Sequence, residues 1–282
     1  MDYILHLAIL ICIYTILSQS LSLVAGYSGQ MSLAHAGFYG IGAYVAALLS
    51  VNLGLPPVHN LVAAMLLSGF VAYIVSKVAV RTIEDYYIII TLGIQVVIYS
   101  IMNNWQSVTN GPLGIAGIPS FSIFGYSFDN KLSFLLLSGT LAALVWLLLS
   151  NIMRSPFGRI LRALSEDEVY TKSLGKNVAQ AKVVSFVISG MLASIAGVLY
   201  AHYISYIDPS SFTIDESIFI LSIVIIGGMR NLRNIFFASV FLVLLPEALR
   251  FVGMPSSIAA NMRQIIYGIA LVLVIYKLGL KK

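Results

Sequence analysis

Residues 151 to 182 carry nine charged side chains between two apolar runs, each long enough to cross a lipid bilayer. The basic members are Arg154, Arg159, Arg162, Lys172, Lys176 and Lys182; the acidic ones are Glu166, Asp167 and Glu168. Arg159 to Leu174 reads as a short amphipathic helix in which Ile160, Leu161, Leu164 and Val169 favour one apolar side. The acidic triplet lies early, Lys172 lies near the C-terminal end, and Gly175 supplies a helix stop. Two readings fit such an island. It is a docking surface for a cytoplasmic partner, or a solvated loop whose basic residues fix orientation.

The rest of the chain is too apolar for a soluble domain. Hydrophobic residues make up 59% and charged residues 10%, against about 25% charged in soluble proteins. The reading is an all-α polytopic integral membrane protein, with residues 1–282 as a single transmembrane domain. The net charge of +5 does not point to nucleic acid, because the positive charges fall in short loops beside apolar runs. Cys12, the single cysteine, lies inside the first run; it can form no intrachain disulfide and reads as a small core residue.

Residues 3 to 25 form the first run, too long for the apolar core of a cleaved signal peptide and therefore expected as a retained helix. His6, near its end, is expected at the interface. The segment from Gly26 to Tyr44 follows, dense in Gly with Ser, Gln and His. Irregular backbone survives in a membrane only where protein buries it or water reaches it, so a break is expected near Gly26 to Ser32. Ser28, Gln30 and Ser32 read as a polar lining; Gly37, Gly40 and Gly42 read equally as lining or as close helix packing.

Further runs are expected at 33–53, 58–80 and 86–105, with Thr91 and Gln95 one turn apart facing the bundle interior. Residues 106–131 form a Gly- and Pro-rich loop of turns, with room for a re-entrant piece. Runs at 132–151 and 182–206 flank the charged island, and Gly190, Ala193, Ser194, Gly197 and Ala201 read as helix contacts. The run 217–228 is too short to span alone and reads as a half-helix or a packed, shortened span. Runs at 235–252 and 259–277 and a basic tail complete about nine transmembrane helices, within a range of eight to ten.

Placing the island in the cytoplasm puts 13 of the 16 Lys and Arg residues on the inner side, leaving Lys131, Arg250 and Arg263. The N-terminus is then outside and the C-terminus inside. Two glycine-interrupted segments, one in each half, hint at broken helices around a midplane path.

Several stretches, in order, resemble the permease subunits of ABC importers for branched-chain amino acids, in the LivM-type branch of the LivH/LivM family. They are Gly26 to Leu33 with Gly42-Ala43-Tyr44, Thr109 to Gly114, Arg154 to Arg159 through Glu166-Asp167-Glu168 and Leu174-Gly175, Asp208 to Phe212, and Gly227-Gly228. The resemblance covers about residues 20 to 250. It implies a coupling helix over 158–175 that docks on an ATPase, with Arg159, Arg162, Glu166, Asp167, Glu168 and Gly175 transmitting its closure. It also implies a substrate path lined by Ser28, Gly29, Gln30, Ser32, His35 and Thr91.

The implied partners are two cytoplasmic ATP-binding subunits, a second homologous permease and an extracytoplasmic binding protein, assembled in a bacterial or archaeal inner membrane. The implied cargo is a small amino acid, Leu, Ile or Val. Urea, short amides and other small solutes are the alternative within the family. No cofactor is implied. Two positions depart from the family's pattern: Arg230 stands where a glycine follows the Gly-Gly pair, and Ala34 stands where a glycine precedes the histidine.

The chain has no Gly-x-x-x-x-Gly-Lys-Ser/Thr phosphate loop, so ATP hydrolysis is expected on other subunits. A secondary transporter would need ionisable groups well inside spans, and only Glu247, with Arg250 close by in sequence, stands as a candidate. An intramembrane enzyme would need clustered catalytic residues, which the four histidines lack.

Overall fold

The computed structural model describes residues 2–80, 82, 84–123 and 125–251, with 268, 269 and 272. Its helices are α1 (Asp2–Ser22), α2 (His35–Leu53), α3 (Pro57–Ala79), α4 (Glu84–Asn104), a single turn α5 (Gln106–Thr109) and α6 (Lys131–Arg154). They continue with α7 (Pro156–Glu166), α8 (Glu168–Ser173), α9 (Val178–Ile204), α10 (Ile214–Ile226) and α11 (Leu232–Phe251). Among the described residues, six segments are long and apolar enough to cross a bilayer: Asp2–Tyr27, His35–Leu53, Pro57–Ala79, Tyr86–Asn104, Lys131–Arg154 and Val178–Ile204.

The outward faces carry the large apolar residues and the inward faces the small and polar ones. In α3, Leu66, Phe70, Ile74 and Val78 are exposed at four-residue spacing, while Ala64, Ser68, Ala72 and Ser76 form the buried stripe opposite. In α4, Ile89, Val96, Val97 and Ile101 are exposed, and Tyr87, Thr91, Gln95, Ile98 and Met102 are buried. A soluble bundle would reverse this. In lipid the apolar side chains lose nothing by facing outward, and small residues let helices approach.

The central pair is α2 and α9. A Cβ on Gly42 would overlap the Ser194 carbonyl, and one on Gly197 would overlap the Tyr39 carbonyl and sit 2.7 Å from the Ala43 nitrogen. The glycines and small residues read from the sequence are therefore contact faces. Serines bridge the bundle: Ser68 Oγ donates to the Gly190 carbonyl at 2.7 Å, and Ser18 Oγ lies 3.1 Å from Ser239 Oγ, joining α1 to α11.

At one end, the loop after α4 is ordered by β1 (Ile115–Ala116) and β4 (Tyr206–Ile207), which pair antiparallel with Ile115 opposite Ile207. β2 (Ser122–Ile123) and β3 (Tyr126–Ser127) form a hairpin. The Gly- and Pro-rich loop is thus tied to the segment preceding α10. His6, expected at an interface, is tethered to α9 through Nδ1, 2.7 Å from the Tyr203 hydroxyl.

The short run expected at 217–228 is the 13-residue α10, about 20 Å long and short of a bilayer's hydrocarbon core. The 20-residue α11 contains Pro246. Apart from 268, 269 and 272, the expected last run, 259–277, and the basic tail lie outside the described residues, among which six candidate spans stand against the nine read from the sequence.

Candidate functional site

Two interruptions shape the interior. After α1 the backbone widens into a π-turn at Leu23–Tyr27 and then leaves helix until His35. Gly29 takes a left-handed φ of +72°, and the Gln30 amide reaches back to the Val24 carbonyl at 3.0 Å. His35 Nε2 lies 2.8 Å from Ser189 Oγ, which itself donates to the Ser20 carbonyl. The chain has therefore doubled back from Tyr27 toward the level of Ser20 before α2 begins. The break expected near Gly26 to Ser32 is present, and protein buries it.

The second interruption is the 3-10 turn Pro209–Phe212 before α10. Asp208 orders it by accepting from Ser210 Oγ at 2.7 Å and Ser211 Oγ at 2.8 Å. Phe212 is fully buried against Tyr39, ring centroids 5.0 Å apart, and its carbonyl accepts from Gln95 Nε2 at 2.7 Å. The two interruptions meet where their helices start: the Ala36 amide donates to Ser217 Oγ at 3.1 Å. Glu216, one residue earlier, has its Oε1 enclosed without a hydrogen-bond partner.

The side chains read as a substrate path are all buried. Ser28 Oγ donates to Gln30 Oε1 at 3.0 Å, and Ser32 Oγ accepts from the Ala34 amide at 3.2 Å. Thr91 Oγ1 accepts from the Leu33 amide at 3.1 Å, pinning the first interruption to α4. Gly29 stands apart from these: a Cβ there would lie 3.4 Å from Ser165 Cα, at the end of α7. The first interruption and the end of α7 are therefore in contact at Gly29.

The charged island folds as two helices, α7 and α8, where one was expected over 158–175. Asp167 is the reason. It takes extended backbone angles, and its Oδ1 caps α8 by accepting from the Tyr170 amide at 2.8 Å. α7 is amphipathic, with Leu161 and Leu164 buried and Arg159, Arg162 and Glu166 exposed. Val169, expected on the apolar side, is instead 78% exposed, as are Tyr170 at 61% and Leu174 at 56%. Gly175 ends α8 with φ +73°. Glu168 pairs with Lys182 of α9 at 2.6 Å.

Arg230, read from the sequence as an inner-side charge and a departure from the family's glycine, makes contacts that reading did not foresee. Its Nε donates to the Gly26 carbonyl at 3.1 Å, its Nη2 to Ser165 Oγ at 2.9 Å, and its Nη1 lies 3.4 Å from Glu166 Oε1. Its own carbonyl accepts from the Tyr27 hydroxyl. One side chain thus joins the first interruption, the end of α7 and the turn between α10 and α11. Its departure from the family's glycine was the signal available in the sequence.

Inverted amphipathic helices enclosing two irregular, polar segments define a polytopic α-helical membrane protein with an enclosed polar interior. Within that class the assignment is specific. The chain belongs to the branched-chain amino acid transport system permease component family, which it matches over residues 3–275. The LivM permease protein of the high-affinity branched-chain amino acid transport system of Salmonella typhimurium is 34% identical over 267 residues, covering 86% of this chain and 63% of LivM. The LivM protein of Escherichia coli matches with the same identity and coverage. The LivH permease protein of Escherichia coli is 26% identical over 212 residues, 70% of this chain and 68% of its own. The chain spans just under two thirds of the length of these LivM relatives. No solved structure matches it.

Proposed function

We propose that this chain is a membrane-spanning permease subunit of an ABC importer for branched-chain amino acids. It pairs with a second, homologous permease, receives Leu, Ile or Val from an extracytoplasmic binding protein, and is driven by two cytoplasmic ATP-binding subunits. The observation that carries this reading is the α7–α8 pair. It exposes Val169, Tyr170 and Leu174 beside Arg159, Arg162, Glu166 and Asp167, an apolar centre with a charged rim of the kind a cytoplasmic partner covers.

Coupling follows from how that pair is held. Arg162 Nη2 donates to the Met153 carbonyl at 3.0 Å, fixing α7 to the end of α6. Glu168 fixes α8 to α9, and Ser165 meets both Gly29 and Arg230. When the ATP-binding subunits close, a displacement of α7 reaches the segment after α1 and the end of α10 together. The segment after α1 is the first of the two interruptions flanking the substrate path, and α10 leads from its far end back to the second. The chain contributes no bond chemistry in this scheme; it converts movement at its cytoplasmic face into opening of the interior.

The test is reconstitution with the ATP-binding subunits and second permease that co-purify with the chain. ATP-dependent uptake of labelled leucine, competed by isoleucine and valine and not by urea or acetamide, is the expected result. Uptake competed by urea alone would move the substrate to the other branch of the family. Uptake that survives ATP depletion and collapses with the ion gradient would overturn the importer reading.

A further inference from the structure

Two cavities share a wall at the α7 end of the bundle. One, about 430 Å³, runs between α1, α6 and α11 and is apolar, lined by Cys12, Gly139, Ala142, Ala143, Phe236 and Phe237 among others. The second, about 340 Å³, is lined by Arg154, Arg162, Arg230 and Arg233 together with Tyr27 and Asn231. Trp146, Leu232 and Arg233 belong to both. An apolar slot therefore opens directly into a basic pocket, with a tryptophan at the boundary, where indole rings sit at membrane interfaces.

The charges in the basic pocket are not balanced. Among the described residues no Asp or Glu lines either cavity. Arg230 is engaged by Gly26, Ser165 and Glu166, and Arg162 by the Met153 carbonyl. Among the described residues nothing hydrogen-bonds or ion-pairs with the guanidinium groups of Arg154 and Arg233, both of them exposed. Two free guanidinium groups at the mouth of an apolar slot match a phosphate attached to a hydrocarbon chain. Guanidinium binds phosphate through paired N–H donors, and basic pockets between transmembrane helices are where anionic lipid headgroups lodge.

We propose that this composite groove binds one anionic phospholipid, its phosphate held by Arg154 and Arg233 and one acyl chain lying along α1, α6 and α11. The small residues Gly139, Ala142 and Ala143 leave room for the chain on α6; a Cβ added at Gly139 meets nothing within 4 Å. The occupant ties α6, which leads into α7, to α11, which follows Arg230. It would brace the coupling junction from the lipid side.

The lone cysteine gives a direct readout. Cys12 lines the slot and is the single thiol of the chain, so the rate of its alkylation by N-ethylmaleimide in the purified full chain reports the slot alone. Phosphatidylglycerol added to the detergent should slow alkylation about tenfold at ten times its Kd. Phosphatidylcholine and inorganic phosphate should not, and the Arg154→Gln/Arg233→Gln variant should lose the protection. Native mass spectrometry of the unmodified protein should show one retained anionic phospholipid that the variant lacks.

Equal protection by phosphatidylcholine, or protection that survives the double substitution, would overturn the proposal. Protection by inorganic phosphate would reassign the arginines to a soluble anion. Cys12 shielded in a delipidated complex with the second permease would make the groove a subunit interface instead.

Discussion

Arg230 donates to the Gly26 carbonyl across 204 residues of chain, at 3.1 Å. The approach is close enough that Gly26 has no room for a side chain: a Cβ there would overlap the Met229 carbonyl. The segment after α1 and the turn between α10 and α11 are thus packed backbone against backbone at this point, with Ser165 of α7 on the same guanidinium. α7, the first interruption and the turn between α10 and α11 thus meet on one side chain.

Arg230→Ala should leave the chain inserted in the membrane and weaken that route. The lost hydrogen bonds to Gly26 and Ser165 contribute about 1–2 kcal/mol; the Glu166 pair, 46% and 70% exposed, adds little. In the reconstituted transporter, leucine uptake should fall severalfold while ATP hydrolysis persists, raising the ATP consumed per leucine. An unchanged ratio would place Arg230 outside the coupling route.

Glu168 carries two roles that a double substitution separates. Lys182 is only 7% exposed and its partner is 42% exposed. Glu168→Lys therefore puts a second positive charge beside a nearly buried ammonium and should cost about 1–2 kcal/mol, discounted for the wet side of the pair. Adding Lys182→Glu should recover the thermal stability, read by melting in detergent. If Glu168 also touches the ATP-binding subunit, uptake should stay low in the stable double variant.

The α2–α9 crossing predicts a graded response to added methyl groups. Gly197→Ala forces a Cβ into the Tyr39 carbonyl and should destabilise by about 1–3 kcal/mol. Gly139→Ala and Gly93→Ala meet open space and should be neutral apart from a small gain in helix propensity. Melting temperatures of the three variants, measured side by side, check the order.

His35, Ser189 and Ser20 form one chain of hydrogen bonds. Ser189→Ala should lower stability by about 1 kcal/mol and His35→Ala, which also empties a fully buried site, by about 2 kcal/mol or more, with the double variant falling short of the sum because the two share the His35–Ser189 bond. Additive losses would show that His35 is held by something else.

The sequence made the membrane class and the first interruption legible, because glycines and polar residues inside apolar runs have few physical explanations. It also made the stop at Gly175 and the short α10 legible. It did not reveal the break at Asp167. An acidic residue within a triplet in an amphipathic pattern looks like helix, and only the capped Tyr170 amide shows that the Asp167 side chain competes with the backbone.

Val169 then turned outward because α8 restarts the helical phase. Arg230 was legible as a charge and illegible as a clamp. Its partners, Gly26, Ser165 and Glu166, are far away in sequence, and nothing local specifies them. Ser217 was hidden for the same reason: it lies in the first turn of α10, and its partner, the Ala36 amide, is 181 residues away.

In the function proposed above, α7 and α8 meet an ATP-binding subunit. The direct measurement is crosslinking from Val169→Cys, in a Cys12→Ser background, to proteins of the native membrane, followed by mass spectrometry of the adduct. The expected adduct is with an ATP-binding subunit and changes in yield when ATP is added. A Val169→Cys thiol that reacts freely with water-soluble maleimide in the assembled complex, and forms no such adduct, would contradict it.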